Sequence, residues 1–233
     1  MTDARLDATL HATDFGITVV SDIGCPWAHV AIHRLERERL RRGLDVELPV
    51  DHRAFPLELI NGRPTPKEVL DREIPLCERL EPDAGWGQPL DPWSFPVSTL
   101  PALEAVQAAK EQGAAQSAAL DLALRRAMFA EWRCIAVFPV VLEVAAEVED
   151  LDVDRLSVEI RTGRPRAELW ADLDQLATEV PGSPTFVLPD GSIVHNPGVE
   201  IGTDDDGWPT VERDEPEAIA DLVTAALAVG RAD

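Results

Sequence analysis

Three cysteines, Cys25, Cys77 and Cys134, are the side chains of this sequence best suited to covalent chemistry, and their surroundings set them apart. Cys25 lies in Ser21-Asp22-Ile23-Gly24-Cys25-Pro26-Trp27-Ala28, after a β-branched run and just before a helical pattern headed by Pro26. Proline is favoured at the first residue of a helix, so Cys25 falls at the N-cap. There it meets unpaired backbone N–H groups and the positive end of the helix dipole, both of which favour a thiolate. A thiolate attacks disulfides and electrophiles. His29, one turn further on at i+4, is placed either to assist the thiolate or to pack beside it. Without that context Cys25 would read as a small buried hydrophobe.

Core packing is the expected role of Cys77, in the amphipathic EVLDREIPLCERL, and of Cys134, just before the apolar IAVFPVV. Three scattered cysteines make no disulfide framework, and no Cys or His pair has metal-ligand spacing, so no metal is expected. Asp204-Asp205-Asp206 matches no EF-hand loop and reads as a solvated acidic turn. Trp86 and Trp93 either line a substrate cleft or anchor the long Pro/Gly-rich loop 81–98. Arg53 can bind a carboxylate of a thiol cofactor or form a surface ion pair, and His52 precedes it.

The elements that must hold Cys25 are legible around it. FGITVVSDI reads as a buried strand, WAHVAIHRLERERLRR as a helix stopped by Gly43, and Asp45 to about Arg53 as a second strand. Strand, helix and strand over this length form a βαβ unit with parallel strands. From Leu57 to about Thr178 the pattern turns helical, with segments at Lys67–Leu80, Thr99 to about Gln112, Ser117 onward, Pro139–Glu149, Asp152 to about Arg161 and Arg164–Thr178. Asp190-Gly191 inside TFVLPDGSIVH signals a hairpin, residues 196–216 read as irregular, and Glu217–Val229 closes as an amphipathic helix. The order fits an α+β or α/β domain interrupted by an all-helical insertion, and the α/β thioredoxin fold, βαβ then ββα, is one known sheet with this order. The boundaries expected are 14–60 and 180–233 for the thioredoxin-like part and 61–179 for the insertion.

The net charge of −22 and a pI near 4.5 exclude sequence-independent hold on nucleic acid or on an anionic membrane. The first residues carry no cationic and apolar leader, and no apolar run reaches bilayer length, so a cytoplasmic location is expected.

Residues 21–28 resemble the active-site segment of the DsbA family, in particular its cytoplasmic FrnE-like branch, which carries Cys-Pro-Trp-Cys there. Arg53-Ala54-Phe55-Pro56-Leu57 resembles the segment that closes that branch's second strand. Gly182-Ser183-Pro184-Thr185-Phe186 resembles the loop bearing the cis-proline of thioredoxin folds. The resemblance implies a thiol–disulfide oxidoreductase with Cys25 as nucleophile. It implies that Pro184 is cis, that Ser183 flanks the substrate sulfur, and that Pro26 and a part-exposed Trp27 border the thiol. It further implies protein or small-molecule thiols and disulfides as partners, with a homodimer among the allowed assemblies. The departure is Ala28, where the family has its resolving cysteine. Cys25 then acts as a monothiol with a low-molecular-weight thiol such as glutathione or mycothiol, uses Cys77 or Cys134 as a distant resolver, or has lost redox chemistry. Kappa-class glutathione transferases and 2-hydroxychromene-2-carboxylate isomerases resemble the chain in fold and insertion but carry Ser-Pro there, which keeps a thiol-cofactor transferase or isomerase open. A binding protein without turnover is the third reading.

Overall fold

The computed structural model describes residues 16–87 and 95–229. Strand β1 (Ile17–Ser21) is buried along its whole length, as its β-branched run demands. It pairs in parallel with β2 (Val50–Ala54), from Ile17 opposite Val50 to Ser21 opposite Ala54. Between them runs α1 (Pro26–Arg42), with Pro26 at its head and Gly43 ending it in the left-handed region at φ 67°. On the other side of β1 lies β3 (Thr185–Val187), antiparallel to it and to β4 (Ile193–His195). The sheet order is therefore β2-β1-β3-β4, and a final helix, α9 (Ala218–Val229), packs beside α1.

Between β2 and β3 the chain forms the short α2 (Leu57–Ile60), then α3 (Lys67–Leu80), a 3₁₀ turn at Pro82–Ala84, α4 (Leu100–Ala109), α5 (Ala114–Phe129), α6 (Phe138–Ala145), α7 (Val153–Arg161) and α8 (Arg164–Glu179). Alternation along β1 divides the core between the two faces of the sheet. Ile17 and Val19 join α1, α9 and Phe186, whereas Val20 packs with Phe55, Leu176, Val180 and Val187. Helices α4 to α8 bury Leu103, Leu124, Phe129, Val141 and Leu156 among themselves, and Ile23 of the loop before Cys25 is anchored in that core. Helix α3 instead turns Cys77 into the cluster of β1 and α1.

Two expectations are corrected. Residues 45–49 are a turn, not the start of a strand. The guanidinium of Arg39 donates to Leu48 O at 2.8 Å and Asp45 O at 2.7 Å, and Leu48 N donates to Leu44 O, so these carbonyls do not join the β1 ladder. Residues 196–216 are not irregular: β5 (Val199–Thr203) and β6 (Pro209–Asp214) form an antiparallel hairpin with a bulge at Glu200/Ile201. The Asp204-Asp205-Asp206 stretch is its tip, where Asp204 accepts from the Asp206 and Trp208 N–H groups and Gly207 turns at φ 82°. Arg34 Nη1 holds Asp214 at 2.8 Å, and the Arg72 guanidinium lies 4.5 Å over the Trp208 ring, which ties the hairpin to α1 and α3.

Candidate functional site

Cys25 occupies the N-cap of α1, with φ −85° and ψ 114°. Its backbone carbonyl accepts the first intrahelical bond, from His29 N at 3.1 Å. The loop before it is fixed by Asp22, whose side chain accepts from Gly24 N at 2.8 Å and Leu57 N at 2.7 Å. Burial raises the Asp22 carboxyl above its ordinary value, against the pull of these two N–H donors. From the loop before β3, Ser183 Oγ accepts from Asp22 N at 2.9 Å, and the Ser183–Pro184 peptide bond is cis. The carbonyl of Ser183 faces the thiol, and Cys25 Sγ donates to it at 3.3 Å. Cys25, Pro26, Trp27, Ser183 and Pro184 thus meet where the head of α1 crosses the start of β3.

The electrostatics correct the thiolate expectation. Cys25 is only 4% exposed, and its pKa is pushed up to about 12. Burial is the main cause and the Glu73 carboxylate adds to it, while contact with Ser183 and the Ala28 N–H oppose them. The helix N-terminus is present, but loss of water outweighs it, so the resting sulfur is a thiol. Trp27 is 7% exposed rather than part-exposed, because its side chain turns inward and hydrogen-bonds the Glu73 carboxyl.

His29 does not assist the sulfur. Its Nε2 is 3.0 Å from Ala84 O, and its ring lies 4.8 Å from Trp86, edge-on, and 4.8 Å from Phe129. Burial drives its pKa down to about 3, so it is a neutral core histidine. Trp86 packs on His29 and donates to Glu81 O at 2.8 Å, which makes it an anchor of its loop, while Trp93 lies outside the described residues. Arg53 is apart from the thiol site and is spent on Asp51 at 2.6 Å and Asp172 at 3.2 Å, so no free guanidinium awaits a cofactor carboxylate. His52 is buried with Nδ1 3.4 Å from Asp121. Cys77 is fully buried, but Cys134 is only partly covered, which corrects its assignment to the core.

Several residues around the loop were not legible as site residues. Arg125 of α5, fully buried, donates to Asp22 O at 3.0 Å, Ser21 Oγ at 2.8 Å and the Asp121 carboxylate at 2.7 Å. Glu73 of α3 faces Cys25 and Trp27. His195 of β4 stands beside the cis-proline loop, with Nδ1 3.0 Å from Thr185 Oγ1. An Asx turn at Asp22-Ile23-Gly24 was the one local signal available, since an Asp two residues before a glycine commonly folds back on its own backbone.

Gly24 is required by space. A Cβ there would lie 2.9 Å from Thr99 Cγ2 and 3.4 Å from Asp22 Oδ1. Gly24→Ala therefore forces the loop away from α4 and is expected to cost about 1–3 kcal/mol, read as a lowered urea midpoint. A midpoint equal to that of the parent protein would show that Thr99 yields freely. The cavity bounded by Asp22, Gly24, Thr99, Phe95 and Met128 measures about 20 Å³, room for a water molecule and no more. Among the described residues no group of three or more His, Cys, Asp or Glu side chains is placed to hold a metal, and no helix is long and apolar enough to cross a membrane.

Comparison with known proteins bears on the fold. The chain is similar to the cytosolic disulfide reductase DsbM from Pseudomonas aeruginosa in a structure with GSH, at 21% identity over 77% of this chain and 89% of that one, with a TM-score of 0.57. It is similar to a probable DsbA oxidoreductase from Streptomyces coelicolor, at 21% identity over 91% and 90% of the two chains and a TM-score of 0.60. It is also similar to a 2-hydroxychromene-2-carboxylate isomerase, at 17% identity over 93% and 95% and a TM-score of 0.59. No family model matches the chain, and no curated protein matches it in sequence. The architecture is the DsbA-like thioredoxin fold with its helical insertion.

Proposed function

We propose that the protein is a cytoplasmic thiol–disulfide oxidoreductase whose motif holds a single thiol, with Cys25 as its nucleophile. The observation that carries this reading is the Cys25 sulfur at the N-cap of α1, 3.3 Å from the carbonyl beside the cis bond of Pro184. In that position the backbone beside the proline can hydrogen-bond an incoming sulfur-bearing chain and hold its disulfide against the Cys25 sulfur. Two neighbours of the same fold are described as cytosolic disulfide reductase and probable oxidoreductase, and one is seen with GSH, which supports a low-molecular-weight thiol as partner. His29 and Arg53 have no part in the chemistry; Pro26, Ser183 and Pro184 shape the approach.

Attack on a disulfide R–S–S–R′ forms a Cys25–S–S–R bond and expels R′ as its thiolate, which takes up a proton. A second thiol must then release R, and Ala28 cannot supply it. Oxidised glutathione should therefore be attacked by Cys25 and leave that residue in a disulfide, detected by peptide mass mapping without reductant, and Cys25→Ser should abolish disulfide reduction. A Cys25→Ser variant with wild-type turnover would overturn the reading.

A second reading has one observation in its favour. The resting group is a neutral thiol that donates a hydrogen bond, which is also what a serine would do there, and the isomerase neighbour shares the fold. A thiol-dependent transferase or isomerase would consume chlorodinitrobenzene only with added glutathione and would leave disulfides intact.

A further inference from the structure

Helix α3 packs across α1: its Leu76 and Cys77 join the apolar cluster of that helix, and its Glu73 hydrogen-bonds Trp27. Glu73 and Cys77 are one turn apart, so they share a face of the helix. Cys77 is fully buried and belongs to the apolar cluster that contains Cys25, Trp27 and Ala28. A charge on Cys25 is felt at Cys77, and the Glu73 carboxylate is felt at both sulfurs. Cys134 shares none of this; it precedes α6 in the helical insertion and is partly exposed. The second thiol missing at position 28 is thus present on another helix, with a carboxyl beside it.

We infer that Cys77 is the resolving thiol for Cys25, and that Glu73 carries the proton between them. The inference rests on the oxidoreductase reading above and names the group that completes its cycle. Once Cys25 holds R as a mixed disulfide, Cys77 passes its proton to the Glu73 carboxylate and attacks the Cys25 sulfur. The Cys25–Cys77 bond forms, the bond from Cys25 to R breaks, and R leaves as a thiolate that takes the proton back from Glu73. The substrate disulfide has gained two electrons and the protein has lost two. Two molecules of a small thiol such as glutathione then reduce the Cys25–Cys77 disulfide and leave joined as their own disulfide. Moving the proton to Glu73 matters because both thiols are desolvated and a new buried charge is costly. Exchange between a carboxylate and a thiol on adjacent turns keeps the buried charge at one throughout. Burial lifts the ordinary pKa of Glu73, which narrows the gap between the two groups.

Treating the reduced protein with one equivalent of oxidised glutathione, quenching in acid and mapping peptides without reductant should show Cys25 linked to Cys77. In Cys77→Ala the glutathionyl adduct on Cys25 should form at the wild-type rate but persist, and steady-state reduction should fall at least tenfold. The unchanged first step shows that the variant is folded, and Cys77→Val, which better fills the apolar site, should behave the same. Glu73→Gln should slow the collapse of the adduct and make it rise more steeply with pH, because Cys77 must then give its proton to solvent, while leaving the Cys25–Cys77 product unchanged. A Cys77→Ala protein that turns over like the wild type, with no linked peptide in the wild type, would overturn the inference while leaving Cys25 as nucleophile. Absence of any modification at Cys25 in either protein would instead overturn the oxidoreductase reading and this inference with it.

Discussion

At pH 8, iodoacetamide is expected to label Cys134 of the reduced protein first, and Cys25 roughly a thousandfold more slowly than an exposed thiol. The factor follows from the shift itself. Burial with the Glu73 carboxylate moves Cys25 from an ordinary 9.0 to about 12, and each unit removes nine-tenths of the reactive thiolate. Cys134 has partial exposure in its favour. Raising the pH should accelerate Cys25 labelling about tenfold per unit through pH 10, with no plateau near neutrality. The same shift has a stability consequence of fixed sign. The native protein holds the Cys25 proton more tightly than the unfolded chain, so the contribution is complete below about pH 9 and is lost as the pH rises toward 12. Its full size is about 4 kcal/mol, three units at 1.36 kcal/mol each, and Cys77 shifts in the same direction. Urea unfolding at pH 8 and pH 10.5 would register about half of it, since pH 10.5 lies midway between the two values, with Cys25→Ala showing the smaller loss. Fast labelling with a plateau near pH 7 would mean that the sulfur is open to water at rest. Slow alkylation and competent disulfide exchange are compatible, because a disulfide held against Cys25 reacts within the complex, whereas iodoacetamide must meet the rare thiolate by collision.

How far the sequence disclosed this arrangement depended on range. The β-branched run, Pro26 and Gly43 are local signals with local causes, and they located β1, α1 and the N-cap cysteine, as Asp190-Gly191 located the β3–β4 hairpin. The β5–β6 hairpin escaped because both its faces are largely exposed: with Glu200, Glu212 and Arg213 among its residues there is no alternation of apolar and polar positions to read. The charge state of Cys25 escaped for a different reason. Helix-dipole stabilisation is written in the residues beside it, whereas the burial that defeats it comes from a cluster gathered along the whole chain, and the Glu73 charge that adds to it lies some fifty positions away. His29 shows the same limit. Its spacing from Cys25 was correct, but Ala84, Trp86 and Phe129, distant in sequence, decide which way the ring is used. Arg125 and Glu73 looked like ordinary charges on amphipathic helices, and only packing shows that one is fully buried and the other faces the thiol.

Arg125→Met is expected to lower stability by about 3–5 kcal/mol, the usual result of leaving one member of a buried ion pair alone. Arg125 is fully buried, and its guanidinium makes two contacts to the Asp121 carboxylate, at 2.7 and 3.2 Å. Methionine fills much of the volume, so the loss reports charge and hydrogen bonds rather than a cavity. Burial works to raise the Asp121 carboxyl, but Arg125 and His52 overcome it and hold the group below its ordinary value. Without Arg125 the burial effect prevails and Asp121 takes up a proton, so the variant's deficit should shrink as the pH falls from 7 toward 4. Removing both charges, as Arg125→Met with Asp121→Leu, should recover part of the loss, because no stranded carboxylate then remains. The damage will not stay in the helical insertion. Arg125 also donates to the carbonyl of Asp22 and to Ser21 Oγ, and Asp22 in turn sets the loop that leads to Cys25 and bonds Ser183 Oγ through its N–H. Disulfide reduction per folded molecule should therefore fall as well, by tenfold or more, since a sulfur displaced by an ångström loses its alignment with Ser183 O. Urea unfolding and turnover on the same preparations test both parts. A variant within about 1 kcal/mol of the parent and equally active would mean that the insertion merely accompanies the site, and that the loop holds Cys25 in place without it.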